Sequence, residues 1–307
     1  MSALTISARA KRASYVASNV TKNCLAPVAN AIAPKRGTLG SDFDESSLSD
    51  AIELFASGIR HMGVDVMASN ILEIGHGRTP EVAMWFAGIG ASVTSLDVTS
   101  GIPDDSTTSD RAGRLLEMVE RSCPNAAGLI REAKAANRVA SFGGSWPITF
   151  SEYDGQNIPL RSKSVDLIVS KSTLEHVRRH QVQPLVQEMT RVLKPDGAML
   201  HYIDFRDHMH IQGDHEVHGD WLDCLTYGPR MFSAMFSNRS TYVNRLRLSE
   251  WLSILEDAGA SVKLNEEKRF PLDPSFSSDG LAVPWRNMPV GELEIGAAYL
   301  GLRPRSA

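Results

Sequence analysis

The chain has 307 residues, 42% of them hydrophobic and 22% charged, with 32 basic against 36 acidic side chains. That length suits one large domain or two ordinary ones, and the composition excludes a disordered, collagen-like or coiled-coil chain. No apolar run approaches the roughly 18 residues that cross a bilayer, and a net charge of −4 sets up no field that recruits nucleic acid.

Residues 1–37 carry Arg9, Lys11, Arg12, Lys22, Lys35 and Arg36 and no acidic residue. This basic stretch is a little like an organelle transit peptide, without the apolar core of a secretory signal. A solvated or loosely docked arm is the simpler reading, with 1–45 as arm and linker and 46–307 as the folded domain. Cys24, Cys123 and Cys224 lie far apart with no CxxC pair. That spacing argues against a disulfide scaffold or zinc knot and for a reducing compartment, the cytoplasm.

Ile52, Phe55, Ile59 and Met62 recur at helical spacing, with Asp50 and Glu53 as a capping box at the start. Ile71 to Ile74 is a buried strand stopped by Gly75-His76-Gly77. Thr79-Pro80-Glu81 opens a helix through Ala87 that Gly88 and Gly90 end, and Ser92 to Asp97 is the next strand. Strand, glycine turn, helix and strand build a parallel sheet. Helices follow around Leu115 to Val119 and Leu129 to Ala136, then a strand at Val165 to Ser170. A helix at Val182 to Leu193 stops at Lys194-Pro195-Asp196-Gly197, before a strand at Ala198 to Phe205. Trp251 to Ala258 is an amphipathic helix, and strands near Ser261 to Lys263 and Leu293 to Leu302 close the sheet as an antiparallel pair. The alternation predicts an α/β three-layer sandwich.

In such a sheet ligands bind at the carboxyl ends of the strands. Glu73-Ile74-Gly75-His76-Gly77 offers main chain that a ligand can lie against. Asp97, 22 residues after Gly75, can accept both hydroxyls of a ribose. A tight turn and a loop cap are the plain alternatives for the two. Together they point to a cofactor that contains adenosine.

Further along, Ile158-Pro159-Leu160 leads through Ser164-Val165-Asp166-Leu167-Ile168-Val169-Ser170 into Leu174-Glu175-His176-Val177, and then Arg191-Val192-Leu193-Lys194-Pro195-Asp196-Gly197. This order resembles class I S-adenosylmethionine-dependent methyltransferases, especially the group with ubiquinone and menaquinone biosynthesis enzymes. The resemblance spans about residues 69 to 205. Asn244-Arg245-Leu246-Arg247 and Trp251 to Gly259 also look like the tail of bacterial members. It implies a Rossmann-like sandwich with a mostly parallel seven-stranded sheet, an antiparallel last strand and a helical lid insertion at 206–245. It implies that Glu73, Gly75, His76 and Gly77 line the methionine and ribose of S-adenosylmethionine, that Asp97 and Val98 hold the ribose edge, that Tyr153 and Asp154 face adenine, and that Ser170 and Lys171 face the methionine end. The sequence departs from the pattern at Thr79 and Pro80, where the third glycine of the turn is replaced by a helix cap, and at Asp196.

The implied reaction moves a methyl group to a small-molecule acceptor, with oxygen favoured. An oxygen nucleophile needs a base. Five of the nine histidines fall between 201 and 218. His208 is the candidate base, with Asp204 or Asp207 as its orienting partner and Arg206 for an anionic substrate group. A hydrogen-bonded network that only fixes this loop is the alternative. Some members acting on polyprenylated phenols or RNA ends carry ExxEH and bind a divalent ion. Here the run is Ser172-Thr173-Leu174-Glu175-His176, without the first carboxylate. No metal is assigned, although Glu175, His176 and His208 would give mixed ligation. Trp221, Tyr227, Phe232, Phe236 and Tyr242 either pack the lid or wall a pocket. Two rivals share the fold. A nicotinamide-dependent oxidoreductase wants glycine where Pro80 stands, and a silent binding module would hold cofactor without methyl transfer.

Overall fold

Short apolar strands between amphipathic helices leave this chain one economical arrangement, a sheet covered on both faces. The computed structural model describes residues 3–32, 45–77, 81–98, 105–136, 148–208, 221–238 and 242–305. Strands β1 (Asn70–Ile74), β2 (Ser92–Asp97), β3 (Ile148–Glu152), β4 (Val165–Lys171), β5 (Leu193–Asp204), β6 (Ala260–Arg269) and β7 (Ile295–Pro304) form one sheet in the order β3-β2-β1-β4-β5-β7-β6. The pairs from β3 through β5 are parallel, and β7 runs antiparallel to both β5 and β6.

Helices α1 (Ala3–Ile32), α2 (Glu45–Met62), α3 (Glu81–Gly88), α4 (Asp105–Ser122) and α5 (Pro124–Ala135) come first in the chain. On one sheet face Ile52 and Phe55 of α2, Phe86 of α3, Leu115 of α4 and Ile130 of α5 pack against Val169 and Leu200. On the other face α6 (Arg179–Val192) and α8 (Leu248–Asp257) bring Val186, Met189 and Trp251 against Leu72, Ile168 and Met199. A third cluster joins Tyr15 of α1 to Phe232 and Met235 of α7 (Pro229–Phe236), and to Trp285 and Leu293, the latter in the short helix α9 (Val290–Leu293). Asn23 of α1 accepts from the Asn238 backbone N–H at 2.7 Å. The basic arm is thus a helix seated on the helical insertion. None of the described helices is long and apolar enough to cross a membrane.

Three local expectations change. Helix α2 begins at Glu45, so Asp50 and Glu53 lie inside it and form no capping box. Instead the Glu53 carboxylate accepts from the backbone N–H groups of Asn125 (2.9 Å) and Ala126 (3.2 Å), at the start of α5. Cys123 precedes α5 without a side-chain cap, and a neighbouring helix supplies the anion that its N-terminus attracts. Residues Lys194 to Gly197 are not a turn between elements. They form the irregular start of β5, where the register against β4 slips between Val165 and Leu167. Strand β6 runs to Arg269 rather than ending near Lys263. Thr79, Pro80, Arg239, His210, His215 and His218 lie outside the described residues.

Candidate active site

At the carboxyl ends of β1 and β2 the chain prepares a crevice. Gly75 and Gly77 both take positive φ, +79° and +59°, which only glycine adopts without strain. A Cβ on Gly75 would strike the Thr173 side chain, whereas one on Gly77 would meet open space. The first glycine lets the turn pass the loop after β4, and the second bares main chain to a ligand. The Gly77 N–H donates to Asp97 Oδ2 at 2.9 Å, which fixes the turn against the end of β2. His76 is buried, its Nδ1 2.9 Å from the Gly77 carbonyl and its ring edge-on to Phe150. Tyr153 donates its N–H to the Asp97 carbonyl, and its phenol is pushed well up by burial and by the Asp97 charge. Val98 is exposed, as a residue at a crevice lip should be. The arrangement fits an adenosyl group, with Asp97 and Tyr153 beside the glycine turn.

Three of the residues read from sequence are occupied elsewhere. Glu73 is buried within β1 and takes a hydrogen bond from Ser95 Oγ at 2.5 Å; burial pushes its carboxyl up to about 7. Asp154 accepts from Gln156 N, Asn157 N and Asn157 Nδ2, which organises its own turn and lowers its pKa. Ser170 is buried against His201, Oγ to Nδ1 2.8 Å. Strand alternation sends Ser170 away from Lys171, so the two do not share the crevice as expected.

Next to the crevice lies a cavity of about 580 Å³ between α2 and strands β4, β5, β7 and β6. Lys171, Tyr202, Asp204, Glu266 and Tyr299 line it, with Asp50 from α2. The tyrosines, Asp50 and Glu266 escaped sequence reasoning because only strand register brings them together. Asp204 is not the orienting partner of His208. Arg206 grips both its oxygens, Nη2 to Oδ2 at 2.6 Å and Nε to Oδ1 at 3.0 Å.

His208 instead lies edge-on to His176, with ring centroids 4.7 Å apart. Burial and the neighbouring His176 push His208 down to about 4, against the opposing pull of Asp204 and of the buried Asp207. His176 Nδ1 lies 2.7 Å from the Tyr242 carbonyl. A carbonyl only accepts, so Nδ1 carries the proton and Nε2 keeps its lone pair. Glu175 is buried with no side-chain partner for its carboxyl among the described residues, and burial raises its pKa well above the usual range. His208 Nε2 is likewise buried and without a partner among them. One ligand atom from each of Glu175, His176 and His208 lies within 4.8 Å of the others. Asn244 braces this corner, its amide donating to the Leu174 and Val177 carbonyls. The buried Arg247 guanidinium holds the Phe205 carbonyl at 3.0 Å and so fixes the segment that bears His208.

A glycine turn after the first strand, a carboxylate closing the second and the order β3-β2-β1-β4-β5-β7-β6 make a Rossmann-like fold. Residues 111–201, from α4 into β5, match the family model of a methyltransferase domain. The match covers 91 of the 307 residues and ties that stretch of the chain to methyltransferases. The match lends nothing to the nicotinamide alternative. No curated protein matches the chain. Among solved structures it is similar to an S-adenosylmethionine-dependent methyltransferase from Mesorhizobium loti, with 16% identity over 83% of this chain and 99% of that one and a TM-score of 0.47. It is also similar to one from Methanosarcina mazei, with 17% identity over 81% and 98% and a TM-score of 0.44.

Proposed function

We propose that the protein methylates an oxygen of a small-molecule acceptor, with Gly75, His76, Gly77, Asp97, Val98 and Tyr153 holding S-adenosylmethionine and His208 taking the acceptor proton. When bound, the sulfonium supplies an electrophilic methyl: the acceptor oxygen bonds to that carbon as its bond to sulfur breaks, and the electron pair leaves with sulfur. The chain's work is alignment and proton removal. Alignment alone supplies roughly 7–11 kcal/mol in model reactions. The observation that supports the reading is His208 itself. Burial keeps its imidazole neutral at neutral pH, which leaves a ring nitrogen to accept while weakening it as a base, and Nε2 has no partner among the described residues. A neutral imidazole can accept a proton.

The test is a labelled-methyl assay on pooled metabolites, with mass identification of the product. His208→Ala should lower turnover about 100-fold while leaving cofactor affinity unchanged. Equal turnover removes His208 as base, and cofactor binding without any methylated product points to a silent module. The mild negative charge favours a metabolite over nucleic acid, and the cysteine pattern favours the cytoplasm. Residues 46–307 form the catalytic domain in this reading, and 206–245 its lid.

A second reading is favoured by the buried Glu175 carboxyl. A buried carboxyl without a cationic partner is costly unless protonated or bound to a cation. Glu175, His176 and His208 fit a divalent ion by donor type and spacing. Titration with Mn²⁺ should give one site that Glu175→Gln abolishes, and no heat in the wild type removes this reading.

A further inference from the structure

Strand register lays four side chains across the cavity in a single row. Lys171 of β4 pairs with Tyr202 of β5, Tyr202 with Tyr299 of β7, and Tyr299 with Glu266 of β6. Neighbouring strands sit about 4.8 Å apart, so the row spans about 14 Å from the first backbone to the last. It begins with a cation at the end of β4, beside the cofactor crevice, and finishes with a carboxylate at the sheet edge. Asp50 adds a second carboxylate from α2.

The charges along this row are not equally committed. Asp204 is held by Arg206, and Glu267 by Arg269. Asp50 and Glu266 have no ion pair or hydrogen bond among the described residues. Lys268, over the Phe270 ring at 5.9 Å, belongs to the next row with Ala297 and Asp204. The Tyr299 ring lines the cavity, and its buried hydroxyl, without a partner among the described residues, abuts Gly58 of α2. The 580 Å³ space is lined by two phenols, by Lys171, Lys268 and the Asp204-bound Arg206, and by the two uncommitted carboxylates, a polar wall that does not suit a hydrocarbon tail.

We propose that this cavity is the acceptor pocket and that its ligand is a small hydroxy-amine, with the ammonium held between Glu266 and Asp50. The assignment rests on the methyltransferase reading and adds the substrate class. The two carboxylates provide charge-assisted hydrogen bonds to an ammonium.

Matched probes test it in the full-length protein saturated with S-adenosylhomocysteine: glucosamine against glucose, and ethanolamine against ethylene glycol. Binding is read by saturation-transfer NMR. The amine member of each pair should give at least a fivefold stronger signal, and Asp50→Asn combined with Glu266→Gln should erase that preference while S-adenosylhomocysteine still binds. Equal signals within both pairs, or a preference that survives the double substitution, overturns the proposal. Both substituted side chains lie at the cavity margin and leave the apolar core intact, so circular dichroism should match the wild type. Failure of S-adenosylhomocysteine to bind the wild type would defeat the methyltransferase reading itself, a result distinct from loss of amine preference.

Discussion

Glu73 and Asp97 end adjacent strands with the same charge, and their surroundings give them opposite work. Asp97 fixes Gly77 and stays beside the crevice, whereas Glu73 is enclosed with Ser95 as its hydrogen-bond donor. The Glu73 carboxyl rises from the ordinary 4.5 to about 7. Its folded state therefore binds more protons than the unfolded chain between those values. The stability it contributes is full below about 4.5 and is lost as pH climbs through 7, on the order of 3 kcal/mol in all. Glu73→Gln should match the wild type near pH 5 and exceed it by about 1–3 kcal/mol at pH 8 in denaturant titrations. A difference that is constant with pH would contradict the buried carboxyl. Gly75, Gly77 and Asp97 were legible because their residue types are dictated by backbone conformation and position. Ser170 was misplaced because the face of a strand residue follows from parity within a sheet that the linear sequence does not display.

Elements with two buried faces were the easiest to read. The apolar runs of β1, β2 and β4 announced themselves, whereas β3 is partly exposed along its length and shows no apolar stripe. Strand β6 is an edge whose later half carries Glu266, Glu267, Lys268 and Arg269. Such charges protect an edge from pairing with other chains, and they hide a strand from a search for apolar periodicity. The cap of α5 was invisible for another reason: its anion, Glu53, comes from another helix. Glu53→Ala should cost about 1–2 kcal/mol of unfolding free energy, and Glu53→Gln should recover part of it by keeping an acceptor. Identical stability of all three proteins in urea titrations would remove the interhelix cap.

For the molecule as a whole, the alternation of strand and helix carried the layered α/β class but not the strand order or β3, and the antiparallel closure by β6 and β7 was foreseen with β6 too short. What stayed hidden is tertiary. Helix α1 seats on α7 through Tyr15, Phe232 and Met235, and the floor of the acceptor cavity is drawn from four strands in a row. Both depend on contacts between residues far apart in the chain, for which local periodicity holds no record. In the proposed reading the two substrates meet across one sheet edge, the adenosyl group over β1 and β2 and the acceptor over β4, β5, β7 and β6. The most direct test of that division is calorimetric titration of S-adenosylhomocysteine into the wild type and into Asp97→Ala. One site per chain should appear in the wild type, with affinity reduced at least tenfold in the variant and the fold unchanged. Equal affinity in the two proteins would place the nucleoside somewhere other than the Gly77–Asp97 crevice.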